Sequence, residues 1–397
     1  MKSMTLDSRE DYDWADLGLH GDPFPIEAPA EVDYWADNKT LLEALTRTQV
    51  EAIVSRSSTI YAFYGRLGAG KTHAIRYFSN EKTQKTIREA IATRTRARTI
   101  VSVSTTAPVP RGTGELTEAI YQRVSSNLLT RLGVPELKQV LGFTQSTSET
   151  PPFHALHNLA NKYALQTTIH PAKLASVMAK SEAWKYLLGE RAKGFGVIEN
   201  TGQMGEVIST LVKALVAEGS RVIIWIDELE NLRNATARER WLFSDLVRKT
   251  FDESDRGLSI FLVFTFPTFE EVQELLLPAV WSRIGQRIVE FQPMKTEDDM
   301  VAFYDASVKQ RGGVEPNSLA EPSAVRAIAK DLLKKAGEQG VTPRDFNLHM
   351  RSLLAAAIML PRTKGKFRLT TTVLKNIEET ERKVVKDLSD KLSGRLE

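Results

Sequence analysis

The sequence predicts an α/β fold wound on a parallel sheet, and three observations predict it. The runs VIIWI (222–226) and LSIFLVFTF (258–266) are apolar at almost every position instead of every second one, as in strands covered on both faces. A third run, TIYAFY (59–64), is β-branched and aromatic and leads straight into a glycine-rich turn, GRLGAGKT (65–72), after which THAIRYF has helical spacing. Segments with helical spacing, such as ARERWLFSDLVRKTFDE, lie between the runs, so strand and helix alternate as in the βα repeats of a doubly wound sheet.

The glycine-rich turn matches G-x-x-x-x-G-K-[ST], with Gly65, Gly70, Lys71 and Thr72 in the fixed places and Gly68 as an extra glycine. In this strand, loop and helix context, loop N–H groups and the positive end of the helix hold the β- and γ-phosphates. Lys71 then reaches their oxygens and the Thr72 hydroxyl ligates Mg²⁺. The site predicted is one for a nucleoside triphosphate with Mg²⁺. The next strand is expected at 99–104, followed by a helix in GELTEAIYQRVSSNLLTRLG; a later helix, GEVISTLVKALVAEG, leads into the run at 222–226.

That run ends in Asp227 and Glu228. Two acids in this place are an ordinary strand exit, but beside a phosphate loop they have chemistry to do: Asp227 holds Mg²⁺ through water and Glu228 polarises the attacking water as general base. Hydrolysis follows, not binding alone. The run at 258–266 contains Thr265, with Thr268 just beyond Pro267. Either hydroxyl would bond the attacking water or the γ-phosphate, or serve only the backbone at the strand end. Arg283 and Arg287 flank a glycine before another β-like run, IVEF (288–291). Pro343, with Arg344 beside it, marks a helix start in GVTPRDFNLHMRSLL.

Composition sets the bounds. With 397 residues, 42% hydrophobic and 26% charged, the chain is long enough for one large domain and a small second one. There is no cysteine, which excludes disulfides and thiolate metal sites. The opening MKSMTLDSREDYDW is acidic where a signal peptide is basic and then apolar, and no apolar run is long enough to span a bilayer, so no membrane role and a cytoplasmic location are expected. A net charge of +3 neither demands nor forbids nucleic acid. Locally, Lys82, Lys85, Arg88, Arg94, Arg96 and Arg98 face a single acid, Glu89, over 82–98, as either a solvated helix face or a phosphate-binding patch.

Taken in order, these stretches resemble the AAA+ ATPases: GRLGAGKT resembles Walker A, IDELEN Walker B, FTFPT sensor 1, WSRIGQR the arginine-finger region and GVTPRD sensor 2. The opening LGLHGDPFPIEAPAEVDYWADNKTLLEALTRTQVEAIV is similar to the leader of the ExeA, TniB and TnsC group, itself similar to the origin-recognition initiator ATPases. The resemblance implies a P-loop AAA+ three-layer core with a parallel sheet, followed by a small α-helical lid domain. It divides the chain into a leader (1–55), a core (56–292), a lid (293–361) and a C-terminal basic segment with an amphipathic helix (362–397). It also implies that Arg283, or in its place Arg287, projects into a neighbouring subunit's γ-phosphate, and that Arg344 contacts the nucleotide of its own subunit. Tyr34 and Trp35 of the leader either lie near the adenine or simply pack.

Three features depart from the family pattern. Sensor 1 is commonly asparagine in initiator-like members and is threonine here. The stretch after Pro361 is too short for a winged-helix domain. Residues 135–203 read as a helical insertion, a place for partner recognition. His154 and His157 in it, with His170 nearby, lack a carboxylate or cysteine set and read as helix-face or core residues more than as zinc ligands. The function implied is an ATP-hydrolysing regulator that forms a homo-oligomer with ATP on double-stranded DNA. It would control partner proteins in transposition, recombination or defence, through the insertion or the C-terminal helix that carries Ile377, Val384, Leu388 and Leu392. The alternative is a nucleotide-gated protein-interaction or signalling switch without nucleic acid. A protein-remodelling motor ranks last, because TTAPVPRGTGE offers no aromatic-glycine pore loop.

Overall fold

A computed structural model describes residues 14–30, 32–36, 39–95, 97–131, 200–217, 219–358 and 368–393. All but the last four residues of the expected insertion lie outside these residues, with His154, His157 and His170; so do Arg96 and the side chains of Val384, Leu388 and Leu392. The chain divides into two compact units. One comprises Leu41–Leu67 and Lys71–Phe291; the other comprises the described residues up to Thr40, Gly68–Gly70 and those from Gln292 on.

The first unit is built on a five-stranded sheet: β1 Thr59–Gly65, β2 Thr99–Thr106, β3 Ser220–Asp227, β4 Leu258–Thr265 and β5 Ile288–Phe291, paired in the order β2-β3-β4-β1-β5 with every pair parallel. The three inner strands are the three apolar runs, because only a strand with neighbours on both sides and helices on both faces has no position to spare for water. Successive side chains alternate between faces. Ile60, Ala62, Ile224, Ile226, Ile260 and Leu262 face helices α4 (Glu115–Arg131), α5 (Thr201–Ala217) and α6 (Ala237–Glu253). On the other face Tyr61, Phe63, Trp225 and Phe261 form an aromatic layer, with Trp225 and Phe261 stacked 4.1 Å apart. That face is covered by α1 (Lys39–Val54), where the Ala52 carbonyl accepts from Ser259, and by α2 (Lys71–Ser79), where Ser79 and Trp225 share Ser102. The result is a three-layer α/β core, as expected.

Two local differences from the sequence pattern have clear causes. Strand β2 continues to Thr106 because it pairs with β3 as far as Asp227. Helix α5 starts at Thr201, four residues before the expected Gly205. Asn200 accepts from the Gln203 N–H at its head, and the Thr201 hydroxyl donates to the buried Asp245 at 2.6 Å. Gly205 is not a break but a contact: a Cβ there would stand 2.7 Å from that of Lys249 on α6. The heads of α4 and α6 are also tied, since the fully buried Glu239 accepts from the Gly114 and Thr117 N–H groups and from the Thr117 hydroxyl.

The second unit is helical: α9 (Glu297–Ser307), the short α10 (Pro316–Leu319), α11 (Pro322–Ala336), α12 (Pro343–Ile358) and α13 (Thr371–Ser393) surround a core that includes Met300, Tyr304, Ile328, Phe346, Met350 and Ile377. Pro343 opens α12 as the sequence predicts. The described part of the leader up to Thr40 belongs to this unit, whereas 41–55 belongs to the first: Phe24 is fully buried and stacks on Tyr304 at 5.9 Å, Asp22 pairs with Arg351, and the Pro25 carbonyl accepts from Asn347 at 2.7 Å. The Arg311 guanidinium lies 5.5 Å from the Tyr34 ring, whose hydroxyl is pushed up in pKa chiefly by burial. No helix among the described residues is long and apolar enough to cross a membrane.

Candidate active site

Because β4 lies between β1 and β3, the carboxyl ends of three strands come together. Gly65 pairs in register with Thr265, and Asp227 ends the next strand over. Crevices at the carboxyl ends of parallel strands are where such sheets bind ligands. From Gly65 the loop runs to α2, whose first residue is Lys71, so the unpaired N–H groups of the first helical turn open onto the loop. Gly68 and Gly70 have φ of 81° and 95°, which side-chain-bearing residues rarely adopt, and this explains the glycines at those two places.

Lys71 is almost fully buried. Its ammonium donates to the Gly65 carbonyl at 2.8 Å and the Arg66 carbonyl at 2.9 Å, leaving one of its three N–H groups for a ligand. Burial lowers its pKa to about 8, against the opposing pull of Glu230 and Asp227. Next in the helix, the Thr72 hydroxyl donates to Asp227 Oδ2 at 2.8 Å. The other oxygen, Asp227 Oδ1, accepts from the Glu228 N–H at 2.9 Å. Thr72 and Asp227 thus present two adjacent hard oxygens. Among the described residues no group of three or more His, Cys, Asp or Glu forms a metal cage. A two-oxygen set suits Mg²⁺, which fills its octahedron largely with phosphate oxygens and water.

Glu228 is the one non-glycine residue with positive φ among the described residues, at φ 58° and ψ 35°. Strained backbone of this kind concentrates at functional sites. Withdrawal of part of its carboxylate from water raises its pKa, and the charges of Asp227 and Glu230 raise it further, in the direction a general base needs.

Glu230 was not singled out by the sequence reading. Its Oε2 accepts from the Thr265 N–H at 3.1 Å, and its charge acts on Lys71, so it ties the acidic turn to the end of β4. The D-E-x-E spacing was the available signal. The structure also separates the two threonines: Thr265 lies level with Gly65, whereas the Thr268 hydroxyl is taken up with Glu271 at the head of the short helix α7 (Phe269–Gln273).

The arginines lie elsewhere. Arg283, on α8 (Pro278–Ile284), grips Asp252 with Nε and Nη2, each at 2.7 Å, and its Nη1 donates to the Ala279 carbonyl at 2.5 Å. Arg287 pairs with Glu51 at 2.8 Å and covers the Tyr61 ring. Both belong to the amino-terminal end of the sheet. Asp252 closes α6 just before β4 begins, and Tyr61 stands four residues, about 13 Å of strand, before Gly65. Neither faces its own chain's phosphate loop. Arg344 is the second residue of α12 in the helical unit, where its N–H donates to the Gly68 carbonyl at 3.3 Å.

The sheet order, the glycine loop at its carboxyl edge and the helical unit after β5 define an AAA+ P-loop fold of the origin-recognition kind. One solved structure supports this fold. The Aeropyrum pernix ORC2 protein, in its ADPNP–ADP complexes, matches at a TM-score of 0.51 and 14% identity over 89% of this chain and 69% of that one. The Aeropyrum pernix ORC1 protein in complex with DNA matches at 0.49 and 16%, over 90% and 68%. No protein-family model and no curated protein matches the sequence.

Proposed function

We propose that the chain is an ATP-hydrolysing AAA+ regulator that oligomerises with ATP on double-stranded DNA and controls partner proteins, in a transposition, recombination or defence-type role. The observation that carries this reading is the 2.8 Å contact between Thr72 and Asp227, which joins the phosphate loop to the acidic strand end at one point. The ORC2 structure of the same fold holds ADPNP and ADP. In the proposed reaction the loop N–H groups and Lys71 orient the phosphates, Glu228 takes a proton from the attacking water, and Thr265 holds that water or the γ-phosphate. Mg²⁺ held by Thr72 and Asp227 supplies charge neutralisation across the phosphates.

Arg283 completes the site from a neighbouring subunit, which its position at the far end of the sheet supports. Arg283→Ala is expected to lower turnover by about 100-fold or more with ATP affinity retained, measured by phosphate release beside a nucleotide titration. Normal hydrolysis by Arg283→Ala together with loss in Arg287→Ala would move the role to Arg287. The DNA part rests on Lys82, Lys85, Arg94 and Arg98, which are all exposed on or just after α3 (Glu81–Ala90). The test is the mass distribution of the Glu228→Gln protein with ATP, with and without duplex DNA. Growth into rings or filaments on adding DNA is expected. A DNA-indifferent monomer or fixed small oligomer would favour the nucleotide-gated protein switch.

A further inference from the structure

We propose that Asp252 is a positioning residue for Arg283, holding the guanidinium as a preformed fork for the phosphate of an adjacent subunit. This deepens the trans-arginine reading above and rests on it. A guanidinium has five N–H groups in one plane. Three are used within the chain: Nε–H and one N–H of Nη2 on the two oxygens of Asp252, and one N–H of Nη1 on the Ala279 carbonyl. One N–H is left on each terminal nitrogen, the pair that bidentate phosphate recognition requires. The Phe251 ring, centred 5.9 Å from the guanidinium carbon, bounds one face. The side chain is therefore held on one edge and one face while its donating end is left over.

Asp252 is itself held. Its Oδ2 lies 3.7 Å from Nη1 of Arg248, whose Nη2 is bonded at 2.5 Å to Asp245, and Asp245 accepts from the Thr201 hydroxyl. Asp245 is buried, so the ladder from Thr201 through Asp245, Arg248 and Asp252 runs from the core outward to Arg283. Arg248 and Arg283 balance the Asp245 and Asp252 carboxylates, so the ladder is neutral as a whole, and what it offers an anion is the fixed direction of the two remaining Arg283 N–H groups. The Arg283 and Asp252 side chains are 25% and 34% exposed. Ion pairs that open to water add little to stability, which leaves orientation as the main consequence of this one. Arg287, by contrast, gives a single hydrogen bond to a half-exposed Glu51.

The test reads the arginine in trans. Arg283→Ala protein keeps its own base and phosphate loop; Glu228→Gln protein binds ATP without hydrolysing it and still offers Arg283. Mixing the two is expected to raise phosphate release at least about tenfold over either alone. When the donor is instead Glu228→Gln/Asp252→Asn, less than about a tenth of that gain is expected, with melting temperature and co-assembly unchanged; Glu228→Gln/Asp252→Glu, which restores a carboxylate, is expected to recover part of it. Full restoration by the Asp252→Asn donor overturns the positioning role. So does failure of that donor to co-assemble, which would make Asp252 a structural residue. If the simple Glu228→Gln donor co-assembles yet restores nothing, the trans role of Arg283 itself fails and the proposal falls with it.

Discussion

Lys71→Ala protein is expected to bind ATP at least about 100-fold more weakly than the native chain, since a charge-assisted hydrogen bond to phosphate and its Coulomb attraction are lost together. The effect is large because the ammonium is already desolvated and fixed by the Gly65 and Arg66 carbonyls, so little ordering remains to oppose binding. Folding is not at stake, because removing a buried charge relieves a desolvation penalty; the melting temperature is expected to hold. A pH titration identifies the group. Burial lowers the Lys71 pKa to about 8, so the binding form is present below that value and is lost as pH rises through it. Affinity should fall across the same range in the native chain, with the midpoint displaced upward as bound phosphate holds the proton, and Lys71→Ala should lose the dependence. A fluorescent-nucleotide titration showing affinities within about threefold, less than 0.7 kcal/mol, would mean that the loop is not the phosphate site.

Glu228→Gln is expected to leave ATP affinity nearly unchanged while turnover falls by about 10²- to 10⁴-fold, the usual contribution of a general base. Glutamine keeps the length and the left-handed backbone but cannot accept a proton. Withdrawal from water and the adjacent Asp227 and Glu230 charges raise the Glu228 pKa, which brings its basicity nearer the working pH. Rapid quench should then find ATP intact on the protein. If Glu228→Gln turns over normally and Glu230→Gln does not, the base is Glu230, which already stands between Lys71 and Thr265.

The strands were legible for a specific reason. In a parallel sheet covered on both faces, β1, β3 and β4 must be apolar throughout, and such runs stand out against amphipathic helices. The start of α5 was not legible. Gly202 and Gly205 argue against a helix locally, and what outweighs them is the hydrogen bond from Thr201 to Asp245, 44 residues away, and close packing on α6. Glu239 is a similar case. At its place in the sequence it reads as the acid of a helix start, and only the fold shows it capping a different helix, α4.

By itself the sequence determined the phosphate loop, the acids at the end of β3 and the alternation that winds the sheet, because each depends on residues adjacent in the chain: a turn that needs glycine, a helix start, a buried run that meets water. Only the tertiary structure decided that Thr72 meets Asp227, that Glu230 reaches Thr265, and that Arg283 and Arg287 are engaged by Asp252 and Glu51 at the far end of the sheet. Those pairings join residues 31 to 236 positions apart. They follow from strand order, which places β4 between β1 and β3 and which no local pattern encodes.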